Sequence, residues 1–99
     1  MKIHELKILP EYFEKVLDGS KTFELRKDDR GFKVGDILIL REYKSELIYE
    51  NEFGEEMWGN PHYTGREIKK KISYIYEGCP NGLGLRTGFS ILALKECDE

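Results

Sequence analysis

Little in this sequence marks a secreted, membrane-spanning or disulfide-stapled protein. It has two cysteines in 99 residues, Cys79 and Cys97. Two are too few for a disulfide scaffold, and their spacing fits no zinc signature. No run approaches the ~18 apolar residues that cross a bilayer. The start, MKIHELKILPEYFEK, alternates charged with apolar residues and so lacks the apolar stretch of a signal peptide. Basic charge is not in excess either. Sixteen Lys+Arg against 19 Asp+Glu give a net charge of −3, which argues against a generic, charge-driven nucleic-acid binder, since such proteins are usually basic. Gly82-Leu83-Gly84 is too short and wrongly placed for a dinucleotide fingerprint, and no P-loop or nucleophile elbow occurs. His4 and His62 pair with no carboxylate at a recognised metal spacing. The expectation is a reduced, cytoplasmic protein with no membrane span, metal or cofactor.

What is present is enough for one domain, residues 1–99, whose 39% hydrophobic and 12% aromatic content supports a single core without staples. The negative charge is localised. Residues 1–43 balance nine basic against nine acidic groups, and residues 59–99 hold six against five. Residues 44–58 hold Lys44 against Glu46, Glu50, Glu52, Glu55 and Glu56. Gly54, Gly59, Asn60 and Pro61 punctuate the same stretch, so 44–60 reads as an acidic loop excursion, either a solvated loop or a surface for a protein partner. Glu96, Asp98 and Glu99 add charge at the C-terminal tail.

Hydrophobic spacing predicts about five strands and one short helix. Ile3, Leu6 and Ile8 suit a strand over 2–8. Pro10 suits a first helical position, Phe13, Val16 and Leu17 make one apolar face, and Gly19 follows as a left-handed terminator. Two turns of helix are stable only if that face packs on a sheet. Lys21–Lys27 alternates as a strand, with Phe23 and Leu25 on one face and Thr22, Glu24 and Arg26 on the other. A charged loop, Lys27-Asp28-Asp29-Arg30-Gly31, follows, and Phe32 and Val34 lead into a Gly35-Asp36 turn. Ile37–Leu40 is apolar on both faces and reads as a central strand. Arg66–Tyr76 is a fourth strand, with Ile68, Ile72, Tyr74 and Tyr76 sharing a face, and Gly88–Lys95 is the last, after a loop around Pro80, Asn81 and Gly82. Strands joined without helices exclude a doubly wound parallel sheet. The expected class is α+β: a small, closed or nearly closed mixed β-barrel with the helix over one opening.

The strongest chemical constellation is Gly19-Ser20-Lys21-Thr22-Phe23-Glu24-Leu25-Arg26. Glu24 and Arg26 are two apart on a strand and project together, pairing an acceptor carboxylate with a planar donor fork. Side by side the two form a rigid polar platform; the alternative is an exposed ion pair worth under ~1 kcal/mol. Lys21 has the opposite parity and joins them only if the chain is still turning after Gly19. His4 and Lys7 lie on the first strand at opposite parity, so at most one faces the pair. Tyr63-Thr64-Gly65-Arg66 ends the acidic excursion, and its ring and guanidinium suit stacking on a base.

Gly19-x-Lys21-x-x-Glu24-x-Arg26 matches the G-x-K-x-x-E-x-R signature of ASCH domains of the PUA-like superfamily, and Phe32-x-Val34-Gly35-Asp36-x-Leu38 resembles their next strand entry. His4-x-Leu6-Lys7-Ile8, Tyr12-Phe13, Asp28-Asp29-Arg30-x-Phe32, Leu40-Arg41-Glu42 and Tyr63-Thr64-Gly65-Arg66 resemble a narrower bacterial and phage group, DUF3850. The resemblance implies a PUA-like pseudo-barrel whose cleft carries the motif's Lys, Glu and Arg and receives RNA or a nucleotide, here through Lys21, Glu24 and Arg26, flanked by Lys7, His4, Tyr63 and Arg66. It also brings two enzymatic expectations. One branch resembles amidohydrolases of N4-acetylcytidine, in which Lys21 would be the catalytic lysine but Glu24 occupies the threonine position. Another cleaves single-stranded RNA, for which Lys21, Glu24 and His4 would supply acid–base groups. A third reading is a protein-interaction regulator acting through 44–60.

Overall fold

The apolar run Ile37–Leu40 lies within β3 (Ile37–Lys44), which sits between two neighbours in a five-stranded sheet of the computed structural model. The structure describes residues 1–28, 30–44, 47–50, 52–54, 56–80 and 84–97. Glu46 and Glu55 of the acidic excursion, Asp29, Asn81 and Gly82 of the predicted loops, and Asp98 and Glu99 of the tail lie outside the described residues. β1 is Ile3–Ile8, α1 Pro10–Leu17 and β2 Phe23–Lys27; β4 is Leu47–Glu50, β5 Glu56–Trp58, β6 His62–Glu77 and β7 Phe89–Glu96. The sheet order is β1-β3-β6-β7-β2, with β1 and β3 parallel and the other neighbours antiparallel.

The sheet curls into a half-barrel and leaves β1 and β2 as its edges. The curled sheet with its one short helix is consistent with the expected small, barrel-like fold, with the β1–β2 side unpaired among the described residues. Its seam is bridged by side chains: Arg26 Nη2 donates to the Lys7 carbonyl, and Arg30 Nη1 donates to the Glu5 carbonyl at 2.9 Å. Two guanidinium groups thus occupy carbonyls on the free edge of β1, which a further strand would otherwise need.

Helix α1 shows why so short an element survives. Pro10 stands where its missing N–H costs no bond, and no side chain caps the N-terminus. Stability comes instead from Phe13 and Val16, each only 2% exposed, which pack with Leu6, Ile8, Phe32, Leu38, Leu40, Ile72 and Leu92 in the core on the concave side. Each such side chain contributes about 1.5–3 kcal/mol of burial.

Two expectations change. The segment 44–60 is not wholly irregular: β4 and β5 pair as an antiparallel ribbon forming a separate two-stranded sheet, and β6 already begins at His62. Tyr74 and Tyr76 do not share a face with Ile72. Ile72 opposes Leu94 while Tyr74 opposes Ala93, so Ser73 is an extra residue on β6. That bulge reverses the alternation. Ile72 is fully buried and Ile75 packs on the core, while Tyr74 and Tyr76 are 63% and 47% exposed on the convex side.

Candidate functional site at the sheet seam

The seam between β1 and β2 forms a half-open cavity of about 450 Å³. The local sequence builds it. Gly19 takes φ +88° after α1, a conformation that glycine adopts without a Cβ clash. The Ser20 amide donates to Asp18 Oδ1 at 2.8 Å and the Lys21 amide to the Lys15 carbonyl at 2.9 Å. Lys21 therefore precedes β2 and escapes its alternation. Its ammonium reaches Glu24 Oε1 at 2.7 Å and the Phe23 carbonyl at 2.6 Å.

Glu24 is the centre of the site. It faces the concave side of β2, is 4% exposed, and accepts from Arg26 Nε at 3.0 Å on its other oxygen. A buried carboxylate costs several kcal/mol unless its charge is matched; here each oxygen meets a cation. Around this polar centre the order of β2 is inverted: the carboxylate is inside, while Phe23 and Leu25 are 45% and 54% exposed. Leu9 and Tyr12 complete a half-exposed apolar rim. Lys21 Nζ lies 4.9 Å from the Phe23 ring centre and 5.8 Å from that of Tyr12. The cavity thus offers the remaining N–H groups of Lys21 and Arg26, a surplus of one positive charge, and aromatic walls. It suits a planar or singly anionic ligand rich in acceptors.

A family model described as Domain of unknown function (DUF3850) matches residues 3–94. The chain belongs to the DUF3850 family. It is also similar to a protein of Escherichia phage P2 described as an uncharacterized 12.9 kDa protein in the GpA 3′ region, with 38% identity over 74 residues. The match takes in 75% of this chain and 54% of the phage protein, so the chain spans about half the length of that curated relative. Among the described residues no helix is long and apolar enough to cross a membrane.

The remaining residues singled out in this DUF3850 sequence lie apart from the cavity, except Lys7. Lys7 contributes its carbonyl to Arg26, while its ammonium stands 4.5 Å over the Tyr43 ring. Tyr63 meets Tyr43 edge-on at 5.0 Å, and the Arg41 guanidinium lies 3.9 Å from the Tyr63 ring centre. His4 is buried: its Nε2 is 2.9 Å from Asp36 Oδ2, and its ring packs on Phe32 at 4.8 Å. Burial pushes the Asp36 carboxyl up, but the Lys2 amide, His4 and the Lys33 amide outweigh that and hold it below its ordinary value. These bonds fasten the entry of β3 to the start of β1, a positioning role at the opposite end of β1 from the cavity.

Arg66 joins a second cluster that sequence spacing did not reveal. Opposite Glu42 of β3, β6 places three residues, Thr64, Gly65 and Arg66, between the pairs Arg41–Glu67 and Tyr43–Tyr63. They wrap a carboxylate that is 5% exposed. Thr64 Oγ1 donates at 2.6 Å, and Arg66 donates through Nε at 3.0 Å and Nη2 at 2.9 Å. The hydrogen bonds from Arg66 and then Thr64 hold the Glu42 carboxyl down at about 2, against the opposing effect of burial. Glu42 and then Glu14 raise the Arg66 pKa in turn. Arg66 Nη2 also reaches Glu14 of α1, and its guanidinium lies 4.5 Å from the Phe13 ring centre. Arg66 therefore ties the helix to the sheet rather than lining the cavity. The adjacent Arg41-Glu42 and Thr64-x-Arg66 were the sequence signal, but only the bulge sets them opposite each other. Gly65 makes that bulge with φ +96° and no atom crowding a would-be Cβ. Gly65→Ala is expected to cost about 1–2 kcal/mol of backbone strain alone, read as a lower urea midpoint with an unchanged m-value.

Proposed function

We propose that the seam cavity binds RNA or a nucleotide, in the manner expected of a PUA-like ASCH domain, and that the protein acts in the cytoplasm. One observation carries the reading: the buried Glu24 carboxylate holds Lys21 and Arg26 in fixed positions at the floor of an aromatic-rimmed cavity. Lys21 and the free N–H groups of Arg26 bind a phosphate or the carbonyl edge of a base, and Tyr12 or Phe23 takes the base by stacking. Glu24 orients both cations and accepts from a base amine. Arg26→Ala is expected to weaken binding of uridine or cytidine monophosphate at least tenfold by calorimetry, with the thermal melt showing a folded protein. Unchanged affinity in a folded variant would sink the proposal.

One contact favours a second reading. Lys21 Nζ lies 2.7 Å from Glu24, within proton-transfer distance, which suits acid–base work on a modified nucleoside such as N4-acetylcytidine or on single-stranded RNA. Turnover of either by the wild type, abolished in Lys21→Ala, would establish hydrolysis; absence of turnover of both removes this reading.

A further inference from the structure

The outer surface of β6, β7 and β2 is unlike the rest of an acidic protein. The strand register sets Tyr74, Ala93 and Phe23 in one row and Tyr76, Ile91 and Leu25 in the next. Residues directly opposite in a sheet share a face, and successive rows lie about 7 Å apart along the strands. Four of these six side chains, Tyr74, Tyr76, Phe23 and Leu25, are between 45% and 63% exposed. Lys71 opposes Lys95 in the row beyond Tyr74, and Lys27 opposes Phe89 in the row beyond Leu25. Among the described residues, these three lysines are the charged groups on the outward positions of 71–76, 89–95 and 23–27, and none has a carboxylate partner. A chain of net charge −3 thus presents a convex face carrying three positive charges around exposed rings.

We propose that this face is a tract for single-stranded RNA, continuous with the seam cavity, on which Phe23, Tyr74 and Tyr76 stack bases while Lys27, Lys71 and Lys95 meet phosphates. The inference rests on the RNA reading of the cavity and extends it from a single nucleotide to a strand. Phe23 and Leu25 belong to both surfaces: they line the cavity and stand in the rows of the outer face. A nucleotide seated against Lys21 and Arg26 therefore has neighbours that pass over β2 onto the rings. Charge selects the occupant. Two copies of the chain packed face to face about a two-fold axis would set like lysine borders against each other, whereas a polyanion with stackable faces satisfies rings and lysines together. The tract needs no broadly basic protein, since its positive charge is gathered on one surface.

The test is fluorescence anisotropy with a labelled ten-nucleotide oligouridylate, alongside calorimetry with uridine monophosphate, on the full chain. The wild type is expected to bind the oligonucleotide more tightly than the mononucleotide. In Tyr74→Ala/Tyr76→Ala, oligonucleotide affinity falls about tenfold or more and mononucleotide affinity stays unchanged. In Lys71→Gln/Lys95→Gln, the slope of log affinity against log salt becomes shallower by about 0.7 per lysine removed. Both pairs are solvent-facing, and circular dichroism checks that each variant folds. Equal oligonucleotide affinity in the tyrosine variant and the wild type overturns the tract. If Arg26→Ala abolishes all binding while the tyrosine variant binds normally, the cavity reading stands and the tract falls. If only the tyrosine variant is impaired, RNA binds the outer face alone, and the cavity reading falls together with the continuous tract that rests on it. A wild type that does not bind the oligonucleotide but dimerises through Tyr74 and Tyr76 shows the face to be a self-interface and overturns the proposal.

Discussion

Phe13→Ala is expected to lower the free energy of unfolding by about 3–5 kcal/mol, the usual cost of deleting a buried aromatic ring. Against a total of roughly 5–15 kcal/mol for a domain of this kind, that is the largest single loss we expect. Phe13 is 2% exposed, it anchors a helix with no N-terminal side-chain cap, and the Arg66 guanidinium rests on its ring. The melting temperature should drop by roughly 12 °C or more. The neighbouring Tyr12 lines the seam cavity, so loosening α1 should also weaken any ligand bound there. Phe13→Leu, which keeps most of the volume, should recover most of both. A melt of Phe13→Ala within a few degrees of the wild type would show that the helix does not depend on this anchor.

Glu42→Gln should expose the second large effect. The substitution removes the negative charge that Arg66 and Thr64 are built around. Because Arg66 is half-exposed and keeps Glu14, the loss is about 2 kcal/mol rather than the 3–5 expected of a fully buried pair, or roughly 8–16 °C in melting temperature. The effect carries a pH signature. The Glu42 carboxyl drops from an ordinary 4.5 to about 2 on folding. A folded value below the unfolded one means that the stabilisation is fully present above pH ~4.5 and is lost as pH falls towards ~2. Asp36, also held low in the fold, acts in the same direction. Melting temperatures of wild type and Glu42→Gln should therefore differ most near neutral pH and converge in acid. Parallel curves down to pH ~2.5 would show that Glu42 is not the titrating group.

Much of the frame was legible in the residues. The succession along the chain of the five main strands and the helix follows from hydrophobic alternation, from Pro10 and Gly19 bracketing α1, and from the continuous apolar run of β3. Glu24 and Arg26 were placed together by parity alone. Three things were not legible: two depend on extra residues that exist only relative to a partner strand, and one lies in a stretch punctuated like a loop. The extra residue Ser73 swaps which tyrosines face outward, and alternation counted along the chain cannot register an insertion that exists only relative to a partner strand. The bulge around Gly65 brings Arg66 to Glu42 and so away from the cavity. The pairing of β4 with β5 lies inside a stretch whose composition reads as loop.

The net charge shows the division most plainly. Chain composition determined the sum, and the run of residues determined that the deficit sits in 44–58; both are one-dimensional facts. Local spacing determined that a carboxylate and a guanidinium share one side of β2. Whether that pair is a surface ion pair or the floor of a cavity was decided by the curl of the sheet, which brings the β2 edge to β1 and removes Glu24 from water. The same curl, with the register of β6, β7 and β2, gathers Lys27, Lys71 and Lys95 from three distant parts of the chain around exposed rings. Field and burial depend on distance in space, and strand pairing sets that distance between residues tens of positions apart.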